Sequence, residues 1–561
     1  MVISAVKAEL AAYYTPPAIA TVLTDWAVTS TECSVFDPSF GGCAFIYGAL
    51  ASLQRLGASR PGQQIYGVDI DGDAQQHLKP VLDAGGSLSQ FPVADFFSLP
   101  RNRPPWTEFD AIVGNPPYIR HHSLSHQQRD AAVKAVESIG AKLSGRSSYW
   151  AYFAVYAMSF LKPGGRMALV LPGAFLHADY AAPVRQAITD SFGEVSIILL
   201  QDRVFDNTDE ESVIVCGTDA HLAPRRLRIG SVSSLEQLRG ALERPDQHLR
   251  TWSASGQTSY LSAIVPPEAL DVLQRMRKGG EAVLAGNWVH ARIGVVTGSN
   301  DFFVRSHNDL ERDGIPIGYS RPILRRSSHA KGLFATDERL GAFYGSTGRS
   351  RLLVLPPDEA LPTRLQDYVE HGNTLGLCHR AKCRAREPWY SLPVPAIPPA
   401  FLSAMTADWP RIIINQSQYA CTNNIYHLEW LRERDDSDWV RLALGSLSSA
   451  SQLSAELVGR SYGGGVLKLE PREFAGWVIP VLPIDVAREI APEVDAALFL
   501  SNKQLATEIV DAAIVQSMRL CGVADLESIR VARDLLRCRR RPAPRVKEQN
   551  TVVPRRNARS A

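Results

Sequence analysis

Between Ser34 and Ala220, short runs rich in Val, Ile and Leu alternate with stretches long enough to form helices. The runs SVFDPSF, QIYGVDI, FDAIVGNPP, RMALVLP, VSIILL and SVIVCGT have the length and composition of strands. Such alternation builds βαβ units, hence a mostly parallel sheet covered by helices on both faces. Ligands of such sheets sit outside the carboxyl ends of the strands. Chemistry is therefore to be sought where these runs end.

Two of them end in a carboxylate, as does the short segment VAD that follows them. Asp37 opens the turn Asp37-Pro38-Ser39-Phe40-Gly41-Gly42-Cys43, whose glycines let a backbone approach a ligand closely. Asp69 closes GVDID, where a carboxylate can accept from ribose hydroxyls, and Asp95 in VADFF can accept from an adenine amino group. One Asp beside two Gly is a common turn. Three strand-end acids in succession fit a nucleoside stretched along the sheet edge better than chance surface acids do.

The run that follows, through AIVG, leads directly into Asn115-Pro116-Pro117-Tyr118. The two prolines remove two backbone donors and stiffen the turn, leaving the Asn115 side-chain oxygen and the Pro116 carbonyl as acceptors for an amino group. Tyr118 adds a flat face on which a planar base or amide can stack. A plain turn after a buried strand would not need this set at this place.

In this order the motifs resemble the S-adenosylmethionine-dependent amino-methyltransferases, and among them the gamma-class N6-adenine DNA methyltransferases of restriction-modification systems. Tyr14-Thr15-Pro16-Pro17 looks like their N-terminal cofactor motif, DPSFGG their first sheet motif, and NPPY their catalytic motif. The likeness runs on through Gly145 to Trp150, Leu161 to Gly165, Leu171-Pro172 and Val204-Phe205, about 210 residues in all. It implies a Rossmann-like class I methyltransferase domain with a mostly parallel seven-stranded sheet, followed by an α+β target-recognition domain. It also implies that Tyr14, Thr15, Pro16, Asp37, Ser39, Gly41, Asp69, Asp95 and Asn115 hold S-adenosylmethionine. Asn115, Pro116 and Tyr118 would act on the adenine, with Tyr118 and Phe205 stacking on the flipped base. One position departs from the pattern: the family usually has Gly where this chain has Cys43, so the loop is expected to turn on Gly41 and Gly42. Because NPPY also occurs in methyltransferases of protein glutamine and of ribosomal RNA, the motif fixes a planar amino acceptor and not DNA. A recognition subunit with an inactive methyltransferase half is the alternative from another class. A nuclease ahead of the cofactor motif is not expected, since that motif begins at Tyr14.

The expected division is a methyltransferase domain over 1–225, a connector over 226–264, a target-recognition domain over 265–482, a helical segment over 483–529 and a basic, poorly ordered tail over 530–561. In the recognition domain Thr297, Arg386, Trp389, Asn415 and Tyr462 are the candidates for contacts with double-stranded DNA, by residue type and by their place in Gly- and aromatic-rich segments. The tail carries eleven Arg or Lys against Asp534 and Glu548, so the other residues are net acidic although the chain is +2. Cys378, His379 and Cys383, with His371 nearby, lack the paired spacing of a zinc site, and no metal is expected. No apolar run reaches membrane-spanning length, Ala151 to Leu161 being interrupted by Tyr152, Tyr156 and Ser159. Eight scattered cysteines suggest reduced thiols in a cytoplasm. A separately encoded restriction endonuclease is the expected functional partner.

Overall fold

The computed structural model describes residues 15–541 apart from 102, 120, 201–211, 223–224, 253–259, 358 and 463–464. All six strand-like runs form strands: β1 (Val35–Asp37), β2 (Ile65–Gly67), β3 (Phe109–Gly114), β4 (Leu161–Pro172), β5 (Phe192–Leu200) and β6 (Ser212–Ala220). Their inward residues alternate. Val35, Ala111, Val113, Ala168 and Val170 enter one core, while Phe36, Ile112, Met167, Leu169 and Leu171 enter the other. Helices α1 (Pro17–Ala27) and α2 (Ala44–Leu56) cover the first face. Helices α3 (His126–Ser138), α4 (Tyr149–Met158) and α5 (Ala182–Ser191) cover the second. Every side chain of α4 is buried, which is why its sequence is apolar all round.

The sheet is larger and more mixed than the expected seven-stranded one. Its eight described strands run in the order β2-β1-β3-β4-β6-β5-β7-β8. Pairings β1 to β2, β1 to β3, β3 to β4 and β5 to β7 are parallel, whereas β6 is antiparallel to both β4 and β5. The segment between β5 and β6 is too short for a crossover helix, so β6 must return antiparallel. The two strands beyond β5, namely β7 (Arg226–Val232) and β8 (Arg250–Thr251), come from the segment expected to be a connector. Arg228 hides the strand pattern there. It is 1% exposed and ion-paired with Glu194 at 3.0 Å and Asp246 at 2.8 Å, so a charge occupies an inward position.

The second region is α+β, as expected. A five-stranded sheet, in the order Val289–Ile293, Tyr426–Trp430, Ala400–Leu402, Ile412–Gln416 and Phe334–Thr336, packs with helices around one core that runs from Val265 to Leu536. That core overturns the boundaries expected near the end of the chain. Helices α6 (Ile484–Phe499), α7 (Lys503–Ser517) and α8 (Val523–Arg540) belong to it, so residues 530–540 are not a solvated tail. The Arg540 side chain, 1% exposed, meets buried Glu456 at 2.7 Å and donates to the Ala407 carbonyl at 3.0 Å. Arg533 donates to Ser449 Oγ at 2.7 Å, and buried Asp511 accepts from Ser449 N at 2.8 Å and Arg530 Nη2 at 2.9 Å. Counting charge along the chain cannot reveal such partners, because they come from residues about 20 to 85 positions away. Residues 542–561 lie outside the described residues.

Candidate active site

Loops at the carboxyl ends of β1, β2 and β3 form one cavity with the start of α3, one side of α4 and residues 94–96, where Asp95 follows a single bridge from Val93 to Asp69 and not the strand expected there. Thr15, Ser39, Gly41, Asp69, Asp95, Asn115 and Pro116 line it together. Residues 100 positions apart in sequence therefore share a site, as the strand-end argument required.

Asp37 is the exception among the acids. It does not line the cavity: it is 1% exposed beneath the loop, and its Oδ1 accepts from Ser39 N at 3.0 Å. Gly114 leaves it room, since a Cβ there would stand 2.9 Å from that oxygen. Burial pushes the Asp37 carboxyl up to about 8, and the neighbouring charge of Asp69 adds to the shift. Asp37 thus braces the turn instead of facing a ligand, a correction to the expected cofactor contact.

Asp69 both lines the cavity and ties the loops. Its Oδ2 accepts from Gly41 N at 2.8 Å and its Oδ1 from Asp71 N at 2.9 Å. Burial raises its pKa, opposed by these backbone donors. Asp95 Oδ1 accepts from Phe97 N at 3.0 Å, and the rise that burial gives the Tyr149 phenol is increased by the Asp95 charge. Burial first, and then Asp95, holds Tyr149 protonated and therefore a donor. Beyond β3, the Asn115 backbone carbonyl accepts from Ser39 Oγ at 3.2 Å, which locks the NPPY turn to the first loop. Tyr118 is buried, its hydroxyl donating to the Val170 carbonyl at 3.2 Å, and it is not a lining residue.

Cys43 carries the departure from the family pattern without disturbing the site. The loop does not turn on the glycines alone: Gly41 has φ 42°, and Cys43 itself takes the left-handed conformation at φ 65°. A side chain there stores roughly 1 kcal/mol of backbone strain. Its thiol is buried away from the cavity, with Sγ 3.9 Å from the Ala74 carbonyl, and burial pushes it up to about 12.

Four further lining residues carry weak sequence signals or none. Ile70 follows a strand-end acid yet is 52% exposed, a signal that was available. Tyr149 and Phe153 stand one helical turn apart on α4, where the uniformly apolar sequence conceals which face lines a site. Gln128 gives no signal; it is fixed by the capping box in which its Oε1 accepts from Ser125 N at 3.1 Å. The cavity pairs acids at one edge with Phe45, Ile70, Phe96 and Phe153 as apolar walls, and the Thr15 hydroxyl is buried in it with no hydrogen-bond partner among the described residues. An orphaned donor, acids for hydroxyl and amino groups, and flat apolar walls suit a nucleoside. Pro16 caps α1, its carbonyl accepting from Ile19 N at 3.0 Å, and does not line the cavity. Tyr14 and Phe205 lie outside the described residues.

The second region treats its expected site residues differently. Thr297 is buried, donating to Asn300 Oδ1 at 2.7 Å, while its carbonyl accepts from Arg386 Nη2 at 2.7 Å. The Arg386 guanidinium lies 5.3 Å from the Phe303 ring. Trp389 packs on Phe302 at 5.4 Å and fills the space a Cβ on Gly372 would need. Asn415 donates to the Pro398 and Tyr419 carbonyls and accepts from Ser417. Thr297 and Asn415 thus spend their polar groups on the fold and Trp389 packs in it, which corrects their expected role as base readers, while Arg386 holds the Thr297 carbonyl through one nitrogen only. Tyr462 stays 42% exposed beside Lys468. Among the described residues no three His, Cys, Asp or Glu side chains gather as metal ligands, and Cys383 is engaged with Thr297 and Arg386. No helix among the described residues is long and apolar enough to cross a membrane.

Two family models match the chain end to end. Residues 3–218 match the N-6 DNA methylase model, and residues 257–515 match the C-terminal domain of the Type II methyltransferase M.Eco57I. The chain is 24% identical over 485 residues to the Type II methyltransferase M.XamI of Xanthomonas campestris pv. amaranthicola, covering 84% of this chain and 85% of that protein. It is 21% identical over 477 residues to M.AccI of Acinetobacter calcoaceticus, covering 83% and 84%. In fold it resembles the Type IIL restriction-modification enzyme MmeI in complex with DNA, with a TM-score of 0.55 at 12% identity over 91% of this chain and 73% of that one. With its cavity of acids and NPPY turn, and with its two regions matching these models in order, this chain is similar to the DNA methyltransferases of restriction-modification systems.

Proposed function

We propose that this chain transfers the methyl group of S-adenosylmethionine to N6 of an adenine flipped out of double-stranded DNA. The observation that carries the reading is the single cavity shared by Asp69, Asp95, Asn115 and Pro116. Asp69 accepts from the ribose hydroxyls and Asp95 from the cofactor's adenine amino group, with Ile70 and Phe153 against the ring faces. Thr15 and Ser39 offer hydroxyls to the polar remainder. The bound cofactor supplies a methyl group already activated by its sulfonium, so positioning accounts for much of the rate.

The lone pair of an adenine amino group is conjugated into the ring, which makes it a poor nucleophile. The Asn115 side-chain oxygen and the Pro116 carbonyl accept from its two N–H groups and stabilise the positive charge that grows on N6 as the new bond forms. The stiff Pro-Pro turn and the Ser39 contact hold these acceptors in place before the substrate arrives. The surplus proton leaves to water after transfer. Phe205 supplies a stacking face for the extruded base, whereas Tyr118, buried with its hydroxyl on the Val170 carbonyl, braces the turn instead of the expected stacking. A separately encoded restriction endonuclease is the partner from which such methylation protects DNA. Cys43, the reason to suspect an inactive recognition subunit, lies outside the cavity, so no observation favours that alternative.

The test is to incubate the purified chain with duplex DNA and labelled S-adenosylmethionine and to analyse digested DNA by mass spectrometry. N6-methyladenine is expected. Another methylated base, or methylated glutamine in a protein with unmodified DNA, would overturn the reading.

A further inference from the structure

A second concavity lies in the C-terminal region, between the segment Ile293 to Val296 and the loop Pro393 to Ala396, with Arg386, Cys421 and His427 also lining it. Its rim is aliphatic and open to solvent: Ile293 is 53% exposed, Val296 42% and Val394 69%, with Ile397 just beyond at 50%. Both walls are rigid. Asn415 Nδ2 donates to the Pro398 carbonyl and Asn415 N to the Pro399 carbonyl, each at 2.8 Å, which fastens the proline-rich loop to the sheet. Val295 N donates to the Cys421 carbonyl at 2.9 Å, and a Cβ on Gly294 would stand 2.4 Å from the Thr422 carbonyl. Aliphatic side chains fixed in water on stiff backbone mark a contact surface.

Two groups of cations lie beside its first wall. The helix Ala381–Arg384 abuts Thr297 and Gly298, which continue the first wall: a Cβ on Gly298 would stand 3.2 Å from Lys382 Cβ. Arg380, Lys382 and Arg384 are exposed and have no ion-pair partner among the described residues. Where Thr422 pairs with Val295 of the same wall, Thr422 Oγ1 donates to the Arg325 carbonyl at 3.1 Å, which brings Arg325 and exposed Arg326 beside Cys421. An aliphatic strip beside exposed cations is complementary to duplex DNA, with cations toward phosphates and the apolar strip toward base edges. The apolar group that a base edge offers in the major groove is the thymine C5 methyl.

We propose that this groove reads a thymine of the target sequence through contact of its methyl group with Val394, Ile397, Ile293 and Val296. The inference rests on the DNA reading above and goes beyond it by naming the feature recognised. It also replaces the expected readers Thr297 and Asn415, whose hydrogen bonds the fold has taken.

The test uses the full chain. Methylation-site sequencing of DNA from cells that express it identifies the target, and absence of any methylated adenine would sink the DNA reading itself. A duplex with that target is then bound at fixed salt, and each thymine in turn is replaced by uracil, which removes only the methyl group. At one position or more, wild type should bind the uracil duplex about fourfold more weakly, the scale for one buried methyl. The V394A/I397A variant, altered only at exposed positions, should bind both duplexes alike. Equal binding of every uracil duplex by wild type, or full discrimination kept by V394A/I397A, overturns the proposal. So does a change of oligomeric state in that variant, by light scattering, with no thymine effect, which would make the groove a protein contact.

Discussion

The two halves of this chain use polar residues in opposite ways. In the first, residues chosen for their type and position converge on one cavity, and among the chosen acids only Asp37 lies outside it, although Asp69 and Asp95 also accept from backbone N–H groups. In the second, Thr297, Trp389 and Asn415 are taken by the fold, and the exposed features are an aliphatic groove and unpaired cations. The difference follows from topology. Parallel strands deliver their carboxyl ends to one edge of the sheet, so strand order along the chain already brings their final residues together. In the five-stranded sheet of the second region, short strands drawn from Val289 to Trp430 pair across long loops, and no local pattern says which side chain faces outward.

The contrast can be broken first at the end of the chain, where sequence suggested solvated charge. Arg540→Ala should destabilise the protein by about 3 to 5 kcal/mol in urea unfolding, since it leaves Glu456 buried and unpaired. A loss under about 1 kcal/mol would return the arginine-rich helix to the solvent.

In the first half the largest effect belongs to chemistry. Asn115→Ala should cut the methylation rate at least about a hundredfold while cofactor affinity stays nearly constant, the signature of a lost transition-state acceptor. A rate within threefold of wild type would remove Asn115 from the reaction. Asp69→Ala should instead act on binding, weakening S-adenosylmethionine affinity by about 1.5 to 3 kcal/mol in calorimetry. Because Asp69 also ties Gly41 and Asp71, thermal unfolding of the same variant distinguishes a lost ligand contact from a loosened loop.

The smallest effect tests the one residue that departs from the family pattern. Cys43→Gly relieves left-handed strain but loses a buried thiol, so stability should change by less than about 1 kcal/mol, with cofactor affinity within twofold. A tenfold change in affinity would mean that the thiol reaches the cofactor after all.

The order of motifs by itself determined the sheet edge, the acids along it and the amino-acceptor turn, because βαβ connectivity converts sequence order into spatial order. It could not show that Asp37 lies beneath the loop, since a strand-end acid facing a ligand and one bracing a turn look the same in sequence. Nor could it reveal β7, where Arg228 occupies an inward position by pairing with Glu194 and Asp246. Gln128 entered the site through the start of a helix, and the basic segment entered the core through Glu456, Ser449 and Asp511. Those assignments belonged to the tertiary structure alone. A charged or polar side chain is buried or exposed according to the partners that long-range packing brings to it, and the energy that decides between the two is absent from its own stretch of chain.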